Sequence, residues 1–333
     1  MSKAKTVAIV GAGPVGLAAA AHLLERGLTP IVFEAGERVA HSVREWGHVQ
    51  LFSPWEYNID RAAQRLLAKT GWNSPEPDQY PTGTELVERY LEPLAAKTAL
   101  AAHIHTSSRV TDISRAGFDK LKSKGREAAP FEIRYQNGQG PELVRADAVI
   151  DASGTWRSPN PAGANGLRAI GETQAAGRIA YGMPDVLGKD RARYAGKTVA
   201  VLGAGHSAVG TLTDLARLAE QAPETRPVWL LRGNDPAKAF GGGANDKLAA
   251  RGELGAAFAA LVAAGRKPPE GQQPRQTNHL ACSSCDASLI TSPSGRPIPD
   301  TSRSGVFYRD DTLLRPINSS SMRQRRRAIR ARV

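Results

Sequence analysis

The chain of 333 residues holds only two cysteines, Cys282 and Cys285, and 6% aromatic residues. Two thiols so close together exclude a disulfide framework. Long apolar runs are also missing. The opening apolar stretch is cut by Gly11, Gly13, Pro14 and Gly16, which leaves neither a membrane span nor the core of a secretory signal. A cytoplasmic protein without a membrane partner is expected. There is no H-E-x-x-H, no Ser-His-Asp set and no pair of carboxylates with a clear role. Chemistry that relies on such side chains is therefore not indicated, whereas chemistry carried by a cofactor needs none of them. Acidic residues are outnumbered, for a formal charge of +12. Residues 266–333 carry 13 Lys or Arg against 5 Asp or Glu, so +8 of that total sits in the tail. The body is only mildly basic, and nucleic acid is not an expected partner despite the basic run over residues 323–332.

What the chain does have is glycine in a telling place. Residues 7–16 read VAIVGAGPVG, an apolar run suited to a buried parallel strand that meets Gly11, Gly13 and Gly16 at G-x-G-x-x-G spacing. Alanine-rich helical sequence follows, closing at Gly27, and then a second apolar strand, Ile31-Val32-Phe33, ends on Glu34. In a dinucleotide-binding turn Gly11 makes the tight bend, Gly13 admits a pyrophosphate and Gly16 lets helix and strand pack closely. Glu34 lies 23 positions after Gly11, close to the offset at which a carboxylate meets a ribose hydroxyl.

Beyond Glu34, residues 44–55 are dense in aromatics, which suits either a surface for a flat ring system, with Trp46 and Ser53 as its lining, or ordinary packing under a long loop. Amphipathic helices are expected over residues 60–69 and 84–97, and strands over 109–114, 131–135 and 142–150, the last two joined through Asn137-Gly138. His103 and His105 are expected on a solvated strand edge, and no metal site is expected. After residues 147–151, the small residues Ala152, Ser153 and Gly154 allow a second close pass over a bound nucleotide or form a plain tight turn. Residues 158–171, rich in Pro, Gly and Asn, read as a linker.

The pattern then recurs. Residues 198–208 give another strand, glycine turn and helix with Gly203, Gly205 and Ala208 at G-x-G-x-x-A spacing, enclosing His206 and Ser207. Its following strand, 228–231, ends on Arg232 where the first unit has Glu34. A cation there suits a 2′-phosphate, an acid suits a free ribose, so two different dinucleotides are implied.

Two such units, with DASGTWRSPNP between them, resemble the flavoprotein oxidoreductases that hold FAD on the first unit and NADPH on the second, and within them the flavin-containing monooxygenase-like branch. The resemblance covers roughly residues 5–265. It implies an α/β fold of two Rossmann-like domains of three-layer ββα type, residues 1–160 for FAD and 161–265 for NADPH, followed by an irregular basic tail, 266–333. It places FAD at Gly11, Gly13, Pro14, Gly16, Glu34, Val110, Ala152, Ser153 and Gly154, and NADPH at Gly203, Gly205, His206, Ser207, Ala208 and Arg232. Hydride would pass from NADPH to the flavin, with a small-molecule substrate, no assigned catalytic side chain, and a homo-oligomer left open.

Two features depart from that family. The branch has a histidine-bearing fingerprint ahead of its second glycine motif, and residues 179–184 contain none. After Gly265 the strand, Ala-Thr-Gly-like turn and flavin-contacting segment that complete an FAD domain cannot be read. The composition of residues 266–333 is what a shifted reading frame in a GC-rich gene would yield, so a C-terminally disrupted remnant that binds nucleotide only is one alternative. A flavin-dependent disulfide reductase using Cys282 and Cys285 is another; the pair with His279 supplies three of the four ligands a structural zinc needs, and chance occurrence is the simpler reading.

Overall fold

The structure is a computed structural model that describes residues 5–163, 166–231, 236–241, 245–265 and 305–308. The chain divides into two compact units, one of residues 1–159 and 247–251, the other of residues 160–246 and 252–333. Arg232, Cys282, Cys285, His279 and the basic run 323–332 lie outside the described residues.

The first unit is built on a parallel sheet. Strand β1 (Thr6–Val10) leads into helix α1 (Pro14–Glu25) and returns as β2 (Thr29–Phe33). Gly27, at φ +66°, ends the helix where an L-residue would be strained. Short helices α2 (His41–Glu45), α3 (Trp55–Asn58) and α4 (Arg61–Ala68) follow. Asp60 caps α4 by accepting from the amides of Ala62 (2.8 Å) and Ala63 (3.0 Å). The expected helix over 84–97 is one continuous helical stretch with a π turn, Val87–Leu91, between α5 (Gly83–Leu86) and α6 (Glu92–Lys97). It begins in a capping box between Thr82 and Glu85.

Next come β3 (Ile104–His105), β4 (Arg109–Arg115), β5 (Phe131–Asn137), β6 (Gly140–Ala146) and β7 (Ala148–Asp151). Strands order as β3-β2-β1-β7 in the parallel sheet and β4-β5-β6 in an antiparallel one. One expectation is corrected here: residues 142–150 are two strands in two sheets. The chain changes sheets at Asp147, whose amide donates to the Thr6 carbonyl (2.8 Å) while its carboxylate accepts from the Thr6 amide (2.7 Å). No glycine, proline or asparagine marks this joint, so the sequence carries no turn signal there.

Alternation along the parallel strands explains their unbroken apolar character. Ile9 and Val32 face a core that includes Leu17, Ala20 and Ala21 of α1, whereas Ala8 and Phe33 face Ile133 and Ala146 of the antiparallel sheet. Both faces of the sheet are thereby covered, giving helix, parallel sheet and antiparallel sheet as three layers. His105 sits on the edge strand β3 and stacks on Phe33 at 5.7 Å. Trp55, only 1% exposed, belongs to the helical core, so ordinary packing accounts for that aromatic.

The second unit repeats the strand-turn-helix plan. After β8 (Ile179–Ala180) and α7 (Arg191–Tyr194) come β9 (Thr198–Leu202), α8 (His206–Gln221), β10 (Arg226–Leu230) and α9 (Ala249–Gly265). Strands β9 and β10 pair in parallel. Strand β11 (Gly305–Tyr308) lies antiparallel between β9 and β8. This strand falls inside the stretch expected as an irregular tail, because an apolar run of three residues between Gly305 and Arg309 carries no readable period.

The start of this unit, expected as a linker, is organised by a buried carboxylate. Glu172, 4% exposed, accepts from the amides of Ala162 (3.1 Å) and Ala169 (2.6 Å) and from the Tyr181 hydroxyl. Burial pushes its pKa up, but the hydrogen bonds from Tyr181, Ala169 and Ala162 outweigh this and hold it below the usual value.

Candidate dinucleotide sites

The first glycine turn is fixed by steric necessity at two of its three glycines. Gly11 has φ +99°, its amide donates to the Phe33 carbonyl at 2.7 Å, and a Cβ there would lie 2.6 Å from the Ala152 oxygen. A Cβ on Gly16 would lie 1.9 Å from the Gly11 oxygen. Gly13 is different: it has ordinary backbone angles and a Cβ there would meet nothing within 4 Å. Protein packing does not demand glycine at 13, so any requirement for it comes from a ligand.

Gly13 is the N-cap of α1, with no side-chain cap and no acid in the first turn, and Pro14 stands at the helix start. The amides of Val15 and Gly16 have no acceptor within the helix, and they sit at the positive end of its dipole. This is the chemistry of an anion cradle. Glu34 closes one side of it. Its carboxylate accepts from the Ala12 amide (3.1 Å) and the Gly36 amide (2.8 Å), which orients it at the turn and leaves lone pairs for a further donor.

The residues beside Glu34 wrap back onto the turn. The Ala40 amide donates to the Ala12 carbonyl at 3.0 Å, with Ala40 in the left-handed region at φ +55°. Ser108 donates its amide to the Glu34 carbonyl (2.8 Å), bringing the start of β4, and with it Val110, alongside. On the opposite side β7 delivers Ala152, whose amide donates to the Val10 carbonyl (2.9 Å). Ser153 donates both hydroxyl (2.6 Å) and amide (3.0 Å) to Asp151, and these bonds hold the Asp151 carboxyl below its usual range. Gly154 takes φ +69°.

Trp46 and Ser53 are held by their own neighbourhoods. The Trp46 ring lies against Gly83, where a Cβ would come within 2.9 Å of it. The Ser53 hydroxyl donates to the Asn58 side chain at 2.9 Å, and Asn58 donates back to the Ser53 carbonyl at 2.7 Å.

One contact had no sequence signal. The Trp156 indole donates to Glu45 on α2; Arg157 (3.4 Å) and His41 (3.2 Å) also face that carboxylate. The loop after β7 is thus clasped to α2 across 111 positions of chain.

The second turn has the same plan. Gly203, at φ +129°, donates its amide to the Leu230 carbonyl (3.1 Å). Gly205 is the uncapped N-cap of α8, again with no atom within 4 Å of where a Cβ would stand and no acid in the first turn. His206 and Ser207 are exposed at the helix start, with Ala208 behind them. Among the described residues no group of three or more His, Cys, Asp or Glu is placed to hold a metal ion, and no helix is long and apolar enough to cross a membrane.

Comparison with known proteins agrees with this geometry. The pattern of the pyridine nucleotide-disulphide oxidoreductase family matches residues 8–222, a span that contains both turns. The chain is 26% identical over 211 residues to indole-3-pyruvate monooxygenase YUCCA1 of Oryza sativa subsp. japonica, covering 63% of this chain and 44% of that protein. It is 26% identical over 228 residues to flavin-containing monooxygenase 1 of Homo sapiens, covering 66% and 39%. The matched region thus spans less than half the length of either relative. Among solved structures, bacillithiol disulfide reductase Bdr from Bacillus cereus shares the fold with a TM-score of 0.53 at 20% identity, covering 79% of this chain and 66% of that one. Since the family pattern takes in well over half of the chain, the protein belongs to the pyridine nucleotide-disulphide oxidoreductase family.

Proposed function

We propose that this chain is an FAD-dependent oxidoreductase that takes hydride from NADPH and acts, in the manner of a monooxygenase, on a small molecule. The observation that supports it is the pair of uncapped helix starts, each with a central glycine, Gly13 or Gly205, that nothing in the protein requires. The two relatives named above are by name monooxygenases, one of them flavin-containing.

In this reading the first turn holds the FAD pyrophosphate at Gly11, Gly13, Pro14 and Gly16. Glu34 accepts from the adenosine ribose, Val110 lies by the adenine, and Ala152, Ser153 and Gly154 close over the cofactor. The second turn holds NADPH phosphates at Gly203, Gly205, His206, Ser207 and Ala208, with Arg232 facing the 2′-phosphate. Bound flavin supplies the redox chemistry. The protein's part is to position the two nucleotides and to exclude water, which is why no catalytic side chain stands out. Following NADPH consumption and peroxide release by the purified chain with added FAD tests this. FAD-dependent oxidation of NADPH supports it, and a chain that oxidises none, with or without candidate substrates, would contradict it.

A further inference from the structure

The two turns differ in one respect that the glycine pattern alone does not explain. In the first, the carbonyl of the leading glycine, Gly11, sits so close to position 16 that any Cβ there would be 1.9 Å away. In the second, the equivalent position is Ala208, which carries a methyl. The Gly203 carbonyl therefore cannot stand as close to position 208 as the Gly11 carbonyl stands to position 16.

The strand after each turn supplies the difference. Register pairs Val10 with Phe33 and Ile9 with Val32 in the first unit, and Leu202 with Leu230 and Val201 with Trp229 in the second. Trp229 thus occupies the place of Val32, which has no donor. The Trp229 indole N–H donates to the Gly203 carbonyl at 2.8 Å. The side chain is only 2% exposed, and its ring meets Phe258 of α9 edge-on, 5.0 Å between centroids at 73°. Phe258 in turn meets Phe240 at 6.0 Å, and Gly255 permits this approach because a Cβ there would lie 1.9 Å from the Phe240 oxygen. The indole is wedged between a helix and the turn.

We propose that Trp229 is a positioning residue for the second dinucleotide turn: its buried indole N–H holds the Gly203 carbonyl away from position 208, takes over the task that Gly16 performs in the first turn, and so sets the turn in the form that receives the NADPH phosphates. The proposal rests on the assignment of NADPH to this turn. Its chemistry is that of a buried hydrogen bond whose loss frees a carbonyl to move toward a methyl it cannot accommodate. Position 208 and position 229 must then be coupled.

A double-mutant cycle on the full chain tests it, with two readouts: NADPH affinity, and hydrogen exchange of the amides over residues 203–209. W229F is expected to weaken NADPH binding about tenfold and to speed exchange. A208G serves as its own reference in the cycle: W229F is expected to cost far less NADPH affinity and exchange protection in the A208G background than in the wild type, while FAD affinity stays unchanged throughout. Wild-type behaviour of W229F, or an equal loss in the A208G background, overturns the proposal. Should W229F not fold, the wild-type indole resonance of Trp229 decides: slow solvent exchange is expected, and a freely exchanging N–H overturns it. If the wild-type chain binds no NADPH, the functional assignment falls by itself, and the exchange arm still decides whether positions 208 and 229 are coupled.

Discussion

The carbonyl oxygen of Gly11 lies 1.9 Å from where a Cβ of Gly16 would stand. Gly16→Ala therefore forces backbone to move in the centre of the first unit, where both faces of the sheet are packed. A loss of about 2–3 kcal/mol is expected, the upper part of the range for overpacking, because the atom in the way is backbone rather than a flexible side chain. Urea denaturation monitored by circular dichroism reads it; a midpoint equal to that of the wild type would show that the turn relaxes freely.

Glu172 should make the second unit acid-sensitive. Its folded pKa lies below the ordinary value of 4.5, so its contribution is fully present above that pH and is lost as pH falls through the folded pKa. Glu172→Gln is expected to cost about 2 kcal/mol near neutral pH, since a carboxylate accepting from two amides and a tyrosine hydroxyl is replaced by a group that has only one acceptor atom. Thermal melts between pH 3 and pH 7 should show a smaller pH dependence in the variant than in the wild type. Parallel curves would remove Glu172 from the account.

The clasp between Glu45 and the loop after β7 predicts a local effect with little change in global stability, because the carboxylate is 41% exposed. Glu45→Ala should release Trp156, red-shifting indole fluorescence, and should speed tryptic cleavage after Arg157. Glu45→Gln, which can still accept from the indole, should fall between. Unaltered cleavage in both variants would mean the loop is held by other contacts.

In the proposed function Arg232 carries the distinction between the two nucleotides. Arg232→Ala should weaken NADPH binding by about 1–2 kcal/mol and leave NADH binding nearly unchanged, as expected for loss of a charge-assisted contact to a phosphate that only one of them has. Competition titrations of the two nucleotides measure it, and equal losses for both would place the 2′-phosphate elsewhere.

Much of this was readable from residues close in sequence. The strand-turn-helix at residues 7–16, its second copy at 198–208, the hairpin at Asn137-Gly138 and the carboxylate at Glu34 all rest on local spacing, and local spacing is what a sequence displays. The bond from the Ala12 amide to Glu34 was not readable, because it joins residues 22 positions apart that only the pairing of the first two strands brings together. The sheet change at Asp147 is bonded to Thr6, the clasp at Glu45 to Trp156, and the Gly203 carbonyl to Trp229. Each joins residues far apart in the chain by one or two hydrogen bonds, which leave no periodic trace. Strand β11 was missed for a related reason: its pairing with β9 and β8, not its composition, makes it a strand.

Gly13 and Gly205 give the most direct test of the central claim, that two separate turns hold two different dinucleotides. Neither is required by protein packing, so Gly13→Ala and Gly205→Ala should each cost no more than the roughly 0.5–1 kcal/mol of an alanine at an N-cap. Equilibrium titration of the wild-type chain and both variants with FAD and with NADPH is the measurement. The account predicts that the wild type binds both, that Gly13→Ala loses FAD affinity at least tenfold while keeping NADPH, and that Gly205→Ala does the reverse. Binding of neither nucleotide by the wild type, or equal losses of both in either variant, would contradict it.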